Sequence, residues 1–343
     1  MTARSLLALV CLAAPLPACA QDPALDLPDP TPARLDSLAQ ATVAELVTVE
    51  GGPFQMGDAG ARYLVELTGA VDSTRGNPDL VYWTAQRDAR VVHDVELSDY
   101  AVQPREVTFR EYDLFTEATG RPPTAPGLSQ RPRPAASDPT FLFPADRLPR
   151  HPARVRSRDD ARAYCLWLGE LTGLPFDLPT EAQWEYAARA RGRNVGFATD
   201  TGALDQGRNV RFATLQGSEL YRSGRATEAQ VDSLRDAVVT TPEPVGTYPP
   251  NPLGLYDMTG NVYEVVLDFY DEGYYERSPR RDPQGPAEGD RWTLRGGAND
   301  ESISGSTVYN RYGVPADPER APPFGFRCAV NGPVGTTPDG LGR

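Results

Sequence analysis

The chain has 343 residues, of which 40% are hydrophobic and 24% are charged, and this composition is typical of a globular protein rather than a disordered one. Its net charge is −13, and all 34 basic residues are arginines because the sequence contains no lysine. An acidic chain without a basic run lacks the clustered cations that phosphate contacts require, which argues against nucleic-acid binding.

Residues 1–20 have the pattern of a secretory signal, since Arg4 precedes a short apolar run, "SLLALVCLAAPLPACA". Two cleavage sites are open. "LPAC" resembles a lipobox in which Cys19 becomes the lipidated first residue, whereas "ACA" suits an ordinary signal peptidase. We prefer the lipoprotein, which would reach the membrane through its lipid anchor. Both interpretations predict export, to a bacterial cell envelope or periplasm.

The next segment, residues 21–40, is rich in proline and aspartate and is predicted to be a semi-rigid tether. The alternative is an ordinary disordered terminus. Residues 41–332 are predicted to form one domain, and residues 333–343 a flexible tail.

The domain begins with strand signals. A β-rich run at residues 45–58 is broken by two glycines, and "HDVELSDYAVQ" alternates like a strand after an insertion at residues 59–92. Thr108 can then cap a helix that ends at Gly120.

Two further helices have clear start signals. Ser157 caps the first, with Asp160 at the capping-box position and Gly173 as its stop; its helical spacing puts Cys165 on or near the buried face. Thr180 and Gln183 form a capping box for the second. Because long irregular stretches separate these elements, the pattern predicts an α+β fold with few regular elements and long loops.

Export would leave two cysteines, Cys165 and Cys328, in an oxidising compartment, where one disulfide is expected. Such a bond would close a long loop and stabilise the fold by about 4–5 kcal/mol on the chain-entropy account. The alternative is two separate buried thiols.

An ordered set of motifs resembles the formylglycine-generating enzyme family, also called the sulfatase-modifying factor family. These motifs lie within residues 46–330 and are "GGPFQMGD", "DDARAYCLWLGELTGLPFDLPTEAQWEYAARA", "PPNPLGLYDMTGNVYE", "LRGG" and "GFRC". The resemblance implies a variant of the C-type lectin fold, in which two helices pack on a small twisted antiparallel sheet. It also implies that Cys165 pairs with Cys328.

The same resemblance implies bound calcium at the turn in "LYDMTGNVYE". Its ligands would be the side chains of Asp257 and Glu264 and the carbonyls of Gly260 and Val262. Calcium binds oxygens of these two kinds. The alternative is a solvated turn with two surface acids.

A second calcium site of the family would fall on Asn209 and Val210, where the match is poor.

The metals of the family's enzymes are not expected here. Copper-dependent members hold copper(I) with two cysteines between "RGG" and "NRY", but the segment "ANDESISGSTVYNRY" has none, and Tyr309 stands just before "NRY". Another branch holds iron with three histidines, and this chain has two, His93 and His151. We therefore predict neither copper nor iron.

What remains is a binding groove, whose positions combine tyrosine and arginine, two residue types enriched at binding hot spots. The alternative is that these side chains are core and surface filler of a C-terminal sheet. The predicted groove residues are Tyr263, Arg295, Asn299, Tyr309, Arg311 and Tyr312.

Three functional hypotheses follow. The preferred one is an exported, lipid-anchored and non-catalytic family member that binds a protein or glycan of the cell envelope, in a structural, secretion or gliding role. The second is a diverged oxidoreductase that modifies a peptide or small molecule. The third is a lectin-like ligand-binding protein whose residues 298–324 vary between strains.

Overall fold

The computed structural model describes residues 30–60, 82–122, 149–205, 208, 210, 242–299, 301 and 303–331. Within them, short strands alternate with a few helices. The helices are α1 (Pro32–Glu45), α2 (Phe109–Thr119), α3 (Arg158–Thr172), α4 (Glu181–Ala188) and α5 (Tyr274–Arg277). The strands are β1 (Val47–Val49), β2 (Gly52–Met56), β3 (His93–Leu97), β4 (Tyr100–Val102), β5 (Phe176–Asp177), β6 (Glu264–Phe269), β7 (Arg291–Arg295), β8 (Tyr312–Pro315) and β9 (Ala329–Asn331).

Local capping defines α2 and α4, as the sequence predicts. Thr108 accepts from the backbone N–H of Glu111, whose carboxylate accepts from the N–H of Thr108. Thr180 and Gln183 form the same reciprocal pair at α4. Each pair satisfies two backbone donors that the first helical turn leaves open.

The predicted start and stop of α3 are also confirmed, with one difference in the cap. Ser157 begins the helix and Gly173 ends it in a left-handed conformation, φ 71°. However, the Ser157 side chain accepts from the N–H of Asp159, so the cap bond does not involve Asp160.

Helix α1 changes the predicted boundary of the tether. Thr31 caps it, Pro32 occupies its first turn, and Leu35 and Leu38 pack against the core beside α3. Leucines three residues apart lie on one helical face, so burying them favours helix over an extended tether. Residues 32–40 thus belong to the folded domain, whereas residues 21–29 lie outside the described residues.

The strands form three antiparallel sheets. The largest has the order β1-β4-β9-β5, so that β9, the last strand among the described residues, lies between two much earlier ones. A second sheet pairs β2 with β3, and a third has the order β6-β7-β8. This mixture of small antiparallel sheets and few helices confirms the α+β class.

Two apolar clusters hold these elements together. The first lies beneath α2 and α3, where Tyr112, Phe115, Tyr164 and Phe326 pack ring against ring. The second surrounds α4, whose eight residues are all buried.

The predicted disulfide is confirmed within the first cluster. Cys165 of α3 bonds to Cys328, which directly precedes β9, and neither residue is exposed to solvent. Among the described residues, no helix is long and apolar enough to cross a membrane.

Candidate functional site

A network of buried ions lies behind β7. Glu181 and Glu185 stand one turn apart on α4 and face the arginine that ends β7, Arg295. Its guanidinium lies 3.1 Å from Glu181 and 2.8 Å from Glu185. Arg311 completes the network by donating to both oxygens of Glu181, at 2.7 and 2.8 Å. Although burial alone would raise the pKa of Glu181, Arg311 and Arg295 lower it below its ordinary value.

Three of the six predicted groove residues are not at the surface, so the groove prediction is wrong for them. Arg295, Arg311 and Tyr309 are not exposed at all. The hydroxyl of Tyr309 donates to Asn194 at 2.8 Å, and Arg189 stacks on its ring. All three side chains belong to the core; Arg295 and Arg311 do so because the buried acids of α4 require arginine partners that solvent cannot replace.

The predicted groove residues that do reach the surface lie at the ends of β6 and β8. Tyr263 and Tyr312 are half-buried, with ring centroids 5.0 Å apart and planes inclined by 77°. The Tyr263 hydroxyl donates to Glu301 at 2.5 Å. We call Tyr263, Tyr312 and Glu301 the tyrosine–glutamate cluster. Burial, with Tyr312 and Glu301 nearby, raises the pKa of Tyr263, so its hydroxyl stays protonated.

Sequence reasoning missed Glu301. It belongs to the segment in which the family's copper-binding cysteines would lie. The presence of acidic residues in that segment was the one signal by which the sequence could have indicated Glu301. Its contact with Tyr263 spans 38 residues and depends on the paired ends of β6 and β7, which no local pattern reveals.

Asn299 is the remaining predicted groove residue. It lines a cavity together with Asp257, Asn261, Thr259 and Val210. The structure therefore brings one predicted groove residue to the turn that was predicted to bind calcium. Asn209, the other residue of the weaker calcium prediction, lies outside the described residues.

The predicted calcium turn has the backbone that the motif suggests. Asp257 and Gly260 both adopt left-handed conformations, with φ of 59° and 84°. Asp257 accepts from the N–H of Gly246 through one oxygen, at 2.6 Å. Burial raises the pKa of Asp257 to about 6, as expected for a carboxylate held away from water.

Glu264 has a different set of partners. Arg327 donates to both of its oxygens, at 2.6 and 2.8 Å, and the indole N–H of Trp184 donates to one of them at 2.9 Å. A carboxylate engaged in this way already has its charge neutralised, which leaves it a weaker donor to a cation.

Glu106 is a better candidate than Glu264 for a calcium ligand at this turn. It is 2% exposed, and one of its oxygens accepts from Asn261, but the other, Oε1, has no hydrogen-bond partner. Burial, with Asp257 and Glu264 nearby, raises the pKa of Glu106 well above its ordinary value. An orphaned buried carboxylate oxygen beside Asp257 suits a hard cation.

The carboxylates of Asp257 and Glu106 are ligands of the kind that calcium prefers, but side chains alone do not provide enough ligands. Within the described residues, no three His, Cys, Asp or Glu side chains are arranged to hold a metal ion. Asp257 and Glu106 would need the carbonyls of Gly260 and Val262 to complete the coordination.

Comparison with known proteins gives a consistent result. A family model described as "Sulfatase-modifying factor enzyme 1-like domain" matches residues 31–332. The formylglycine-generating enzyme of Streptomyces coelicolor is 31% identical over 311 residues, which cover 82% of this chain and 88% of that protein. The enzyme of the same name from Thermomonospora curvata is 33% identical over 198 residues, covering 53% of this chain and 56% of that one.

Solved structures share the fold. PvdO from Pseudomonas aeruginosa superposes with a TM-score of 0.55 at 26% identity, covering 83% of this chain and 93% of that one. Treponema denticola variable protein 1 has a TM-score of 0.52 at 20% identity, covering 84% and 95%. These likenesses confirm the fold that the motifs predict.

Proposed function

The chain belongs to the formylglycine-generating enzyme family, and we propose that it is an exported member that binds a protein or glycan of the cell envelope instead of oxidising sulfatase cysteines. Its calcium, lipid anchor and partner are parts of this proposal.

The distribution of cysteine carries the proposal. Copper(I) is selected by soft thiolates, and the family's enzymes place two of them before "NRY". This chain has four cysteines, of which Cys165 and Cys328 are bonded to each other. The other two, Cys11 and Cys19, fall in the predicted signal. The segment between "RGG" and "NRY" has no cysteine, and Tyr309, which stands just before "NRY", is buried and hydrogen-bonded to Asn194.

The tyrosine–glutamate cluster supports a binding role. Half-exposed tyrosines contribute large contact areas with little loss of side-chain freedom, which is why they recur at binding hot spots. Glu301 of this cluster lies in the segment where the family's copper-binding cysteines would lie, so a surface used elsewhere for chemistry would here serve recognition.

The bound cation has a structural role in this proposal. Asp257 and Glu106 would contribute carboxylates and Gly260 and Val262 carbonyls, and the calcium would neutralise two buried acids and fix the turn that leads into β6. Export agrees with the disulfide, which forms and persists in oxidising compartments.

Cross-linking in the native envelope tests the proposal. We would cross-link cells that make the full chain, purify it in mild detergent and identify co-purifying proteins by mass spectrometry. A Tyr263→Ala/Tyr312→Ala variant should lose a partner that the wild type captures, while Glu272→Gln, a change to an exposed acid, should keep it. Recovery of the wild type with no partner above background would overturn a protein-binding role.

A direct assay tests the second part of the proposal, that the protein does not oxidise sulfatase cysteines. A sulfatase-derived cysteine peptide, copper and the purified protein should give no formylglycine. Formation of the aldehyde would refute the non-catalytic proposal.

A further inference from the structure

We infer that calcium at the turn of residues 257–262 controls the tyrosine–glutamate cluster, so that partner binding there depends on calcium. The inference rests on the proposed function and specifies how that binding is regulated. It starts from Tyr263, a member of the cluster that stands in the sequence between Val262, a proposed calcium ligand, and Glu264. Because the hydroxyl of Tyr263 donates to Glu301 at 2.5 Å, the cluster begins where the turn ends.

Two backbone hydrogen bonds join the turn to the segment that carries Glu301. The N–H of Gly260 donates to the carbonyl of Gly296 at 2.9 Å, and the N–H of Asn299 donates to the carbonyl of Asn261 at 3.0 Å. Both bonds hold the stretch that leads from the end of β7 to Glu301. The position of this stretch therefore depends on the conformation of the turn.

Asn261 connects that stretch to a proposed calcium ligand. Its amide Nδ2 donates to Oε2 of Glu106 at 2.8 Å, and its Oδ1 accepts from the backbone N–H of Glu243 at 2.9 Å. Its backbone is left-handed, with φ of 57°, a conformation that asparagine tolerates. One residue is thus bonded to Glu106 through its side chain and to Asn299 through its carbonyl.

Calcium would change the balance between a closed and an open turn. Oε1 of Glu106 is buried and has no hydrogen-bond partner among the described residues, which costs free energy in the closed turn. Opening the turn would hydrate this oxygen and break the bond between Asn261 and Asn299. Bound calcium would instead take the oxygen as a ligand and favour the closed turn, in which Glu301 is held beside Tyr263. This difference in contacts is what lets the ion shift the equilibrium.

Calcium titration of the full chain by calorimetry tests the coupling with the metal alone as probe. Coupling between two sites is reciprocal, so loosening the cluster must weaken calcium binding. Tyr263→Phe removes the hydroxyl that holds Glu301, and we expect it to weaken calcium binding by about fivefold although this side chain is not a ligand. Tyr270→Phe is the matched control, because the Tyr270 hydroxyl is likewise half-buried and donates to a carboxylate, that of Asp88, at 2.8 Å. Its calcium affinity should equal that of the wild type.

Asn261→Gly tests the proposed connection. Glycine accepts the left-handed backbone but lacks the amide that reaches Glu106. In the wild type, calcium should slow hydrogen exchange of the Asn299 N–H by about tenfold. In Asn261→Gly, calcium should still raise Tm, because Asp257 and Glu106 remain, but it should leave the exchange of the Asn299 N–H nearly unchanged.

Unchanged calcium affinity in Tyr263→Phe, an equal loss in Tyr270→Phe, exchange of the Asn299 N–H that ignores calcium, or a wild type that binds no calcium would each overturn the inference. Envelope cross-linking, repeated with calcium and with a chelator, distinguishes it from the proposed function. Capture of a partner with calcium alone would support the inference. A partner captured equally under both conditions would keep the proposed function and refute its control by calcium, whereas no capture under either condition would overturn both.

Discussion

Arg327 and Glu264 form a fully buried pair in which the guanidinium reaches both carboxylate oxygens, at 2.6 and 2.8 Å. Both belong to motifs that carry the family resemblance, "GFRC" and "GNVYE". The pair joins the segment before β9 to the start of β6, and so connects two of the three sheets.

Loss of one member of this pair should be strongly destabilising. Arg327→Met would leave Glu264 charged and buried, and we expect the free energy of unfolding to fall by about 3–5 kcal/mol. The measurement is urea unfolding in the presence of a chelator. Glu264→Gln/Arg327→Met should be less destabilised than the single variant, since glutamine is neutral and still accepts from Trp184. A single-variant loss below about 1 kcal/mol would contradict this account.

Calcium should stabilise the protein through Asp257 and Glu106. At a calcium concentration 100 times the dissociation constant, binding to the folded state adds about 2.7 kcal/mol, which appears as a rise in Tm. Asp257→Asn and Glu106→Gln should each abolish most of that rise, measured by scanning calorimetry with and without chelator. Glu272→Gln should keep it. If Glu264→Gln removes the rise while Glu106→Gln does not, the ligand set implied by the family is correct instead.

Removal of the disulfide should weaken the fold substantially. The bond joins residues separated by 163 positions, and on the chain-entropy account it stabilises the folded state by about 4–5 kcal/mol. We expect Cys165→Ala/Cys328→Ala to lose about that amount in urea unfolding, together with a lower midpoint. A loss below about 1 kcal/mol would show that the bond does little to restrict the unfolded chain.

Stability should fall as pH rises through the titration of Asp268. Burial, with Glu181 nearby, raises its pKa from 3.8 to about 7, so the folded state retains a proton that the unfolded chain releases near pH 4. The resulting stabilisation is present below pH 4 and is lost by about pH 7. Relative to Asp268→Asn, the wild type should therefore lose at least about 1 kcal/mol between pH 4.5 and pH 8.

Urea unfolding of both proteins across that range provides the check. The quantity to follow is the difference in unfolding free energy between the wild type and Asp268→Asn. Burial also raises the pKa of Asp58 to about 6, so the stability of both proteins falls with pH for that reason as well. A pH-independent difference between wild type and Asp268→Asn would refute the assignment.

Local signals were enough to predict the helices, because each cap lies within three residues of its partner. Thr108, Ser157 and Thr180 could be identified as caps from the sequence alone. The burial of Arg295 and Arg311 could not be predicted from the sequence, because it depends on ion pairs with Glu181, which lies more than a hundred residues earlier. The orphaned oxygen of Glu106 depends in the same way on a turn about 150 residues away.

The position of β9 between two much earlier strands has a consequence for the order of synthesis and folding. β9 lies between β4 and β5, which do not pair with each other. A ribosome must therefore release nearly the whole domain before the largest sheet can assemble, and the cysteine beside β9 arrives equally late. If the chain is exported as proposed, this late assembly would leave the largest sheet and the disulfide to form after passage through the secretion channel.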